Sequence, residues 1–457
     1  MMIERILFKK VEMWVLILVV LLCMILALGF GIVVRQQAVG NVKFGLVGKT
    51  ALFLAEIPAN IKKALNPERE AEILATEQRF DGKSGFVFYD ETRGDEDQSH
   101  YLLASRYDHD LKRGLVELID LTTGGVEHTW MPDIDAINAQ VDQVDEFEFL
   151  ERDKNQRRYR MVHPLLLPDG GLIFQDNSPL VRIDACSNLV FQNATDKFHH
   201  SAEMDHAGNI WVPTTIYPST IEGFGADFAD DAITLVSPGG EIIYQKSVTE
   251  ILLENDLRHE IYSYDKYIQD LIHLNDIQPV LADGPYWKKG DVFISLGHLN
   301  LVALFRPQTN ELLWWTQQKL NHQHDIDILS DHEISIFDNN RNMSSSGDIV
   351  EGSNEIQVYD FDTDTMRSIF KASLEEYDVR TISQGLIDFA PNGNVFIEET
   401  IYGRWLELNP KGEIVWEFIN RASDGKVYIL NWGRIIPADD IKIVKKSLAT
   451  RNCEAVP

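Results

Sequence analysis

The chain is short of cysteine and of positive charge. Its 457 residues hold 3 cysteines, and 42 Lys and Arg stand against 71 Asp and Glu, giving a formal net charge of −29. So few cysteines exclude a disulfide-dense scaffold; outside the amino-terminal apolar run only Cys186 and Cys453 remain, enough for one disulfide in an oxidising compartment. No basic patch or stripe is present, which argues against a nucleic-acid partner. No low-complexity tract interrupts the sequence, and 44% hydrophobic residues supply material for one large core.

The amino terminus carries the one feature that sets a location. From Met13 to Val34 no residue is charged, long enough to span a bilayer as a helix. Arg5, Lys9 and Lys10 precede it and Arg35, Lys43 and Lys49 follow. A secretory apolar region is normally shorter, so the reading is an uncleaved signal anchor with residues 1–12 cytoplasmic, 13–34 in the membrane and everything after Arg35 extracytoplasmic. A cleaved signal ending at the AVG before Asn41 is the competing reading. Cys23 lacks the preceding small residue of a lipoprotein signal. Residues 35–80 read as a helical juxtamembrane segment, with Phe44, Leu46, Leu52 and Leu54 as apolar surface.

Beyond it the chain repeats. An alternating apolar strand, a polar turn and a second strand recur six times, starting near Leu115, Leu180, Ala232, Leu301, Ile356 and Trp405. A further strand precedes each, near Tyr101, Gly171, Asn209, Asp291, Glu333 and Asn394, and several units open with an earlier strand such as HPLLL or HDIDIL. Four antiparallel strands per unit, six times over, predict an all-β, six-bladed β-propeller over residues 81–447 with a tail at 448–457. Trp314, Trp315, Trp405 and Trp416 read as packing between blades. The acidic stretches from Asp145 and Gly225 read as solvated loops.

Histidines mark the chemistry. His200 and His324 each stand ten residues ahead of the apolar residue opening the next strand, Ile210 and Ile334, and His273 holds a like place in its own repeat. His163 is one residue out of register, and the sixth repeat has Gln384 and Gly385 there. The start of an innermost strand faces the propeller axis, so these imidazoles are expected to converge on one pocket.

Several segments then resemble the bacterial arylsulfotransferases that use sulfate esters as donors. They are the pair His199-His200 ahead of a GN turn, DLIHLND, ISLGHLNLVALF followed by ELLWW, QHDIDIL leading to IFDNNRN, and WLELNPKGEIVWEF. The resemblance covers about Phe198 to Ile436. It implies a six-bladed propeller with its active site in the central channel, an aryl sulfate donor, a phenolic or other hydroxyl acceptor, and no metal or cofactor. It further implies that His324 is the nucleophile forming a sulfohistidine, that His273 and His200 are catalytic, and that Asn275, His199 and His298 contact substrate. A neutral imidazole suits the nucleophilic task near neutral pH. The family's arginine after the H-x-N motif is missing: Gly297 stands there, with His298, Arg341 or Arg404 as possible substitutes. The family's close cysteine pair is absent too.

Other readings stay open on the residues alone. A membrane-anchored propeller binding an anion in its channel needs no arginine. Three imidazoles from His200, His273 and His324 with a water form an allowed zinc set. Asp325 could orient an imidazole, and Tyr286 with Trp287 could rim an aromatic site.

Overall fold

The computed structural model describes residues 12–38, 42–64, 74–76, 79–89, 100–142, 150, 154–219, 221–225, 228–264, 267–344, 347–451 and 453. Nearly all of the expected cytoplasmic segment, most of the acidic stretch from Asp145 and part of that from Gly225 lie outside them.

The chain divides into two units, residues 1–69 with 264–269, and the remainder. The first holds an α-helix at Met13–Ala38, a single turn at Val42–Phe44 and a second α-helix at Gly45–Ala64. The first helix is long and apolar enough to cross a membrane. The second exposes Leu46, Val47, Phe53 and Leu54. Helix does not continue to residue 80 as expected. Leu74 is buried beside Tyr107 and Tyr428, Ala75 bridges to Tyr428 and Thr76 N donates to Val427 O at 2.8 Å. The apolar side chain and backbone there find partners in the sheet unit, which offers more burial than an isolated helical turn.

The second unit is a six-bladed β-propeller. From the inside outward, the first blade runs Arg434–Pro437, His100–Asp108, Arg113–Asp120 and Gly125–Trp130; the second Val162–Leu166, Leu172–Gln175, Leu180–Ile183 and Leu189–Asn193. The third blade has a split inner strand, Lys197–Phe198 and Glu203–Met204, then Ile210–Ile216, Asp230–Val236 and Ile242–Ser247. The fourth runs Leu274–Pro279, Val292–Leu296, Leu301–Arg306 and Glu311–Thr316. The fifth is His324–Ile328, Glu333–Asp338, Glu355–Asp360 and Thr365–Ile369, and the sixth Leu386–Phe389, Val395–Glu399, Arg404–Leu408 and Ile414–Ile419. All twelve strands read from the six strand-turn-strand units are present, and all six strands read ahead of them.

Both ends of the chain close the ring. Arg434–Pro437 becomes the innermost strand of the first blade, and Gly85–Phe88 adds a fifth strand outside the sixth, pairing with Ile414–Ile419. Covering edges in this way removes unpaired backbone. The helix Ala438–Ala449, not foreseen in the sequence, buries Ile441 and Val444 against Trp130, Leu172 and Phe174 of the first two blades. Cys453 just beyond it is disulfide-bonded to Cys186 of the second blade.

The core is a series of apolar layers between neighbouring blades. Trp405, Trp416, Leu102, Ala104 and Ile119 pack the sixth blade on the first, and Phe337, Ile356, Ile387, Val395 and Ile397 the fifth on the sixth. Trp405 and Trp416 are core as expected; Trp314 is partly buried between the fourth and fifth blades, while Trp315 faces outward. Inner strands are also stitched to one another by side chains: Ile277 N donates to Ser201 Oγ at 3.2 Å, Ile326 N to Asp276 Oδ2 at 2.8 Å, Ile387 N to Asp325 Oδ2 at 2.8 Å and Ile435 N to Asp388 Oδ2 at 2.9 Å. Asp325 is thus a stitch between blades and does not orient an imidazole.

Candidate active site

The stitches fix a structural register that corrects the alignment of the histidines. Ile277 and Ile326 are each stitched by the preceding blade, and they pair with Ile294 and Ile336 of their own blades. Aligned on them, His273-Leu274-Asn275-Asp276 matches His322-Gln323-His324-Asp325. His322, not His324, is the counterpart of His273, and both take left-handed backbone, φ 53° and 63°. His324 stands where the fourth blade has Asn275. By the same register Asn339 stands where the fourth blade has Gly297.

His200, His273, His298, His322 and His324 meet at one cavity of about 370 Å³, a size suited to a small organic ligand. Ring centroids of His200 lie 5.0 Å from His273 and 6.3 Å from His324; His273 is 4.2 Å from His298, and His322 is 5.4 Å from both His298 and His324. Arg160, Gln175, Asp176, Arg341, Gln384 and Trp432 complete much of the wall. Several lining residues hold left-handed backbone: His200 at φ 58°, Gln384 at 56° and Trp432 at 66°. Such conformations cost about 1–3 kcal/mol each and gather where a site imposes them. A larger groove of about 860 Å³ lies along the second and third blades, lined by Phe191, Asp196, Lys197, Tyr217 and Ile242. It gathers no histidines, so chemistry rather than size identifies the site.

The protonation states differ by position. His324 is held down to about 3 by burial and by the neighbouring His273. Its Nδ1 lies 2.6 Å from Asn339 Oδ1, and the Asn339 amide is fixed because its Nδ2 donates to the carbonyls of Thr381 at 3.0 Å and Gln384 at 2.7 Å. Reversed, the amide would set oxygen against two carbonyl oxygens. His324 therefore carries its proton on Nδ1 and presents the Nε2 lone pair, which receives a long 3.3 Å contact from Gln384 N. Burial and the nearby His324 and Arg341 lower His322 to about 2; its Nε2 accepts from Arg341 Nη1 at 2.7 Å. His200 is also pushed well down, by burial first and then by His199, His273 and His324. His273 goes the other way. Burial opposes its charge, but Asp270, with Oδ2 2.8 Å from Nδ1, outweighs it and raises the imidazole above its ordinary value. The cluster sets imidazoles held toward the neutral form beside one, His273, that keeps its proton more readily than an ordinary histidine.

The expected substrate contacts are divided. His298 lines the cavity, its Nδ1 donating to Asp270 O at 2.8 Å. His199 is buried behind His200, with Nδ1 atoms 2.7 Å apart, and is outside the lining; its Nε2 lies 3.3 Å from Asp231 Oδ1, too poorly aligned for a hydrogen bond. Asn275 is fully buried and likewise outside the lining; its Nδ2 donates to Gln323 O at 2.8 Å, tying down the residue before His324.

Gly297 has a steric cause. A Cβ there would come 2.6 Å from Asn275 Nδ2, so any side chain at this position requires the seated amide to shift from its bond to Gln323 O. Guanidinium groups arrive from elsewhere. Arg341 enters on the hairpin Arg341–Ser344 and Gly347–Val350, bound to His322 and 2.6 Å from Asp348 Oδ2, with its Nε buried and unpartnered. Arg160 lies just ahead of the second blade, 3.4 Å from Gln384 Oε1 and 3.7 Å from Asp176 Oδ1. Arg404 is not at the cavity; it pairs with Glu399 and stacks on Phe80. Tyr286 and Trp287 are not there either, since Trp287 is buried against Phe293 and Phe361. Sequence reading missed His322, Arg160, Asn339 and Trp432. The repeated tetrad H-x-[N/H]-D held the signal for His322; Arg160 and Trp432 carry none, because only ring closure brings them to the axis.

The open zinc reading from His200, His273 and His324 is not supported by donor geometry. Among the described residues, those three do not form a group whose donor atoms all lie within 4.8 Å of one another, whereas Asp270, His273 and His298 do.

The family model described as "Arylsulfotransferase (ASST)" matches residues 163–421, more than half of the chain. No curated protein matches. Solved structures similar to this chain include a protein of unknown function from Bacteroides caccae, at 11% identity and TM-score 0.45, covering 74% of this chain and 99% of that one. A streptogramin B lyase is 12% identical with TM-score 0.37, covering 79% and 95%. A virginiamycin B lyase from Staphylococcus aureus is 10% identical with TM-score 0.34, covering 57% and 70%.

Proposed function

This chain belongs to the arylsulfotransferase family, and on that premise we propose that it moves a sulfuryl group from an aryl sulfate ester to a phenolic or other hydroxyl acceptor in two steps through His324. The observation that carries the reading is the His324 imidazole at the cavity wall: neutral, fixed as the Nδ1–H tautomer by Asn339, with an Nε2 lone pair held only by the long 3.3 Å contact from Gln384 N, which an incoming sulfuryl group must displace. In the first step Nε2 attacks sulfur, the S–O bond to the aryl group breaks and the oxygen leaves with the electron pair, taking a proton from His273. In the second the acceptor hydroxyl returns a proton to His273, its oxygen attacks sulfur and the N–S bond breaks, restoring His324. A histidine that favours its charged form suits this exchange, and Asp270 is the group that makes it so. Arg160 and Arg341 are suited to hold the sulfuryl oxygens, as the guanidinium absent at position 297 would. His200 packs between His273 and His324 and can hydrogen-bond a sulfuryl oxygen as charge develops. Asn275 serves by positioning Gln323, and His199 by supporting His200.

We place the propeller outside the cytoplasm, held to the membrane by the helix Met13–Ala38. The Cys186–Cys453 disulfide supports this, because such bonds persist in oxidising compartments. The test is incubation of the detergent-solubilised full chain with 4-nitrophenyl sulfate, followed by intact mass. One added sulfuryl group, lost in His324→Ala and kept after chelation, is the expected result. A folded protein giving no adduct and no phenol-dependent turnover would overturn the reading in favour of an anion-binding propeller.

A further inference from the structure

We infer that Asp270, His273 and His298 form a binding site for a zinc-type divalent cation, which when filled withdraws His273 from the transfer reaction. The residues come from two places in the fourth blade: Asp270 and His273 precede its innermost strand, and His298 follows its second strand in the turn Gly297–Leu299. Two imidazole nitrogens address one carboxylate. His273 Nδ1 is 2.8 Å from Asp270 Oδ2, and His298 Nδ1 is 3.7 Å from Asp270 Oδ1. Donor atoms of all three lie within 4.8 Å of one another. Ligands about 2.0–2.1 Å from a tetrahedral zinc stand about 3.3 Å apart, so the observed spacings straddle the value needed and small side-chain rotations close the set. Two histidines, one carboxylate and an open fourth position form a donor set that zinc accepts.

The surroundings admit an ion. Side-chain exposures of 27% for His273, 33% for His298 and 43% for Asp270 leave the group reachable from solvent, unlike the buried His324. The stacked rings of His273 and His298, 22° apart in plane, aim both Nδ1 atoms to the Asp270 side, and on binding the His298 Nδ1 releases the proton it donates to Asp270 O, so that metal uptake expels protons. A bound cation takes the Asp270 carboxylate and the Nδ1 of His273 together. That removes the pairing on which the proposed proton exchange depends. The inhibitory consequence rests on the transfer reaction proposed above; the binding site does not.

The test titrates the solubilised full chain with Zn²⁺ by calorimetry and with Co²⁺ by visible absorption, alongside 4-nitrophenyl sulfate turnover. One equivalent of Zn²⁺, a Co²⁺ spectrum of low-symmetry nitrogen and oxygen ligation, and affinity reduced about 10- to 100-fold in both Asp270→Asn and His298→Gln are expected. Zn²⁺ should suppress turnover over the same concentration range as it binds, and chelation should restore it. Binding that neither substitution weakens, or no stoichiometric binding, overturns the site even if turnover is robust. Stoichiometric binding by a chain without aryl sulfate turnover upholds the site and removes the transferase reading instead.

Discussion

The tautomer of His324 gives the sharpest test, through Asn339. Replacing Asn339 by Ala removes the acceptor for His324 Nδ1–H and the donor to Gln384 O, while Thr381 O keeps its bond from Asn354 Nδ2 at 2.9 Å. Two buried polar groups lose their partners, at about 1–3 kcal/mol each, so the variant should lose roughly 2–6 kcal/mol of stability. The larger effect is on chemistry. An unfixed imidazole divides between tautomers and orientations, and a wrong tautomer in a comparable histidine-dependent site costs up to about 10⁴ in kcat. A fall of about 10- to 100-fold in sulfohistidine formation, with little change in KM, is expected. The rapid release of 4-nitrophenol and the adduct mass read it directly. If Asn339→Ala forms adduct at the wild-type rate, the tautomer argument is refuted.

Other expectations follow from the same geometry. Removing either guanidinium, Arg160→Met or Arg341→Met, should cut kcat/KM for 4-nitrophenyl sulfate about 100- to 1000-fold with the fold intact, as loss of one oxyanion donor does; steady-state kinetics at fixed ionic strength checks it. Gly297→Arg, which installs the residue the family pattern expects, should impair rather than help, costing about 1–3 kcal/mol because a Cβ there meets Asn275 Nδ2 at 2.6 Å; thermal melting and turnover together decide it. Stability should fall as pH rises from about 6.5 to 8. Burial lifts Asp338 and Asp276 to about 7, so the native state binds more protons than the unfolded chain below that pH and loses this advantage on ionisation. The lowered histidines act oppositely but only below about 6.5, where the unfolded chain takes up their protons. Asp338→Asn keeps the acceptor for Asn321 N and Asn340 N and should flatten the slope between pH 6.5 and 8 by about 1 kcal/mol per unit of pH at most. Cys453→Ser opens a loop spanning 267 residues. It should lower the melting temperature, with about 5.6 kcal/mol as the chain-entropy upper bound.

Much of the fold was legible because strands leave a period-two pattern and turns leave Gly, Asn and Asp. The outer strands, with one face on each neighbouring blade, kept that pattern through Leu115, Leu180, Leu301 and Trp405. Less of the site could be read. Counting back from the next strand placed His200, His273 and His324 at one axis, and they do meet. The count also made His324 the partner of His273, whereas the stitched residues Ile277 and Ile326 show that His322 is. An irregularity in pairing between Leu274 and Asp276, and another between His324 and Ile326, lies between the counted landmarks, so sequence distance and spatial register part there.

By itself, the sequence determined the number of blades, the apolar helix at the amino terminus and the identity of the three imidazoles, because each rests on local periodicity or on side-chain chemistry. Tertiary structure alone decided what those imidazoles are. Asn339 sets the tautomer of His324, Asp270 raises His273 above its ordinary value, and Arg160, Arg341 and Trp432 reach the axis from three different parts of the ring. Proton position and charge depend on which groups stand within hydrogen-bonding distance, and in a closed ring those neighbours come from residues as far apart in sequence as Arg160 and Gln384. Gly297 shows the same division: the sequence marks a missing arginine, and only the packed Asn275 amide shows what a side chain there would have to displace.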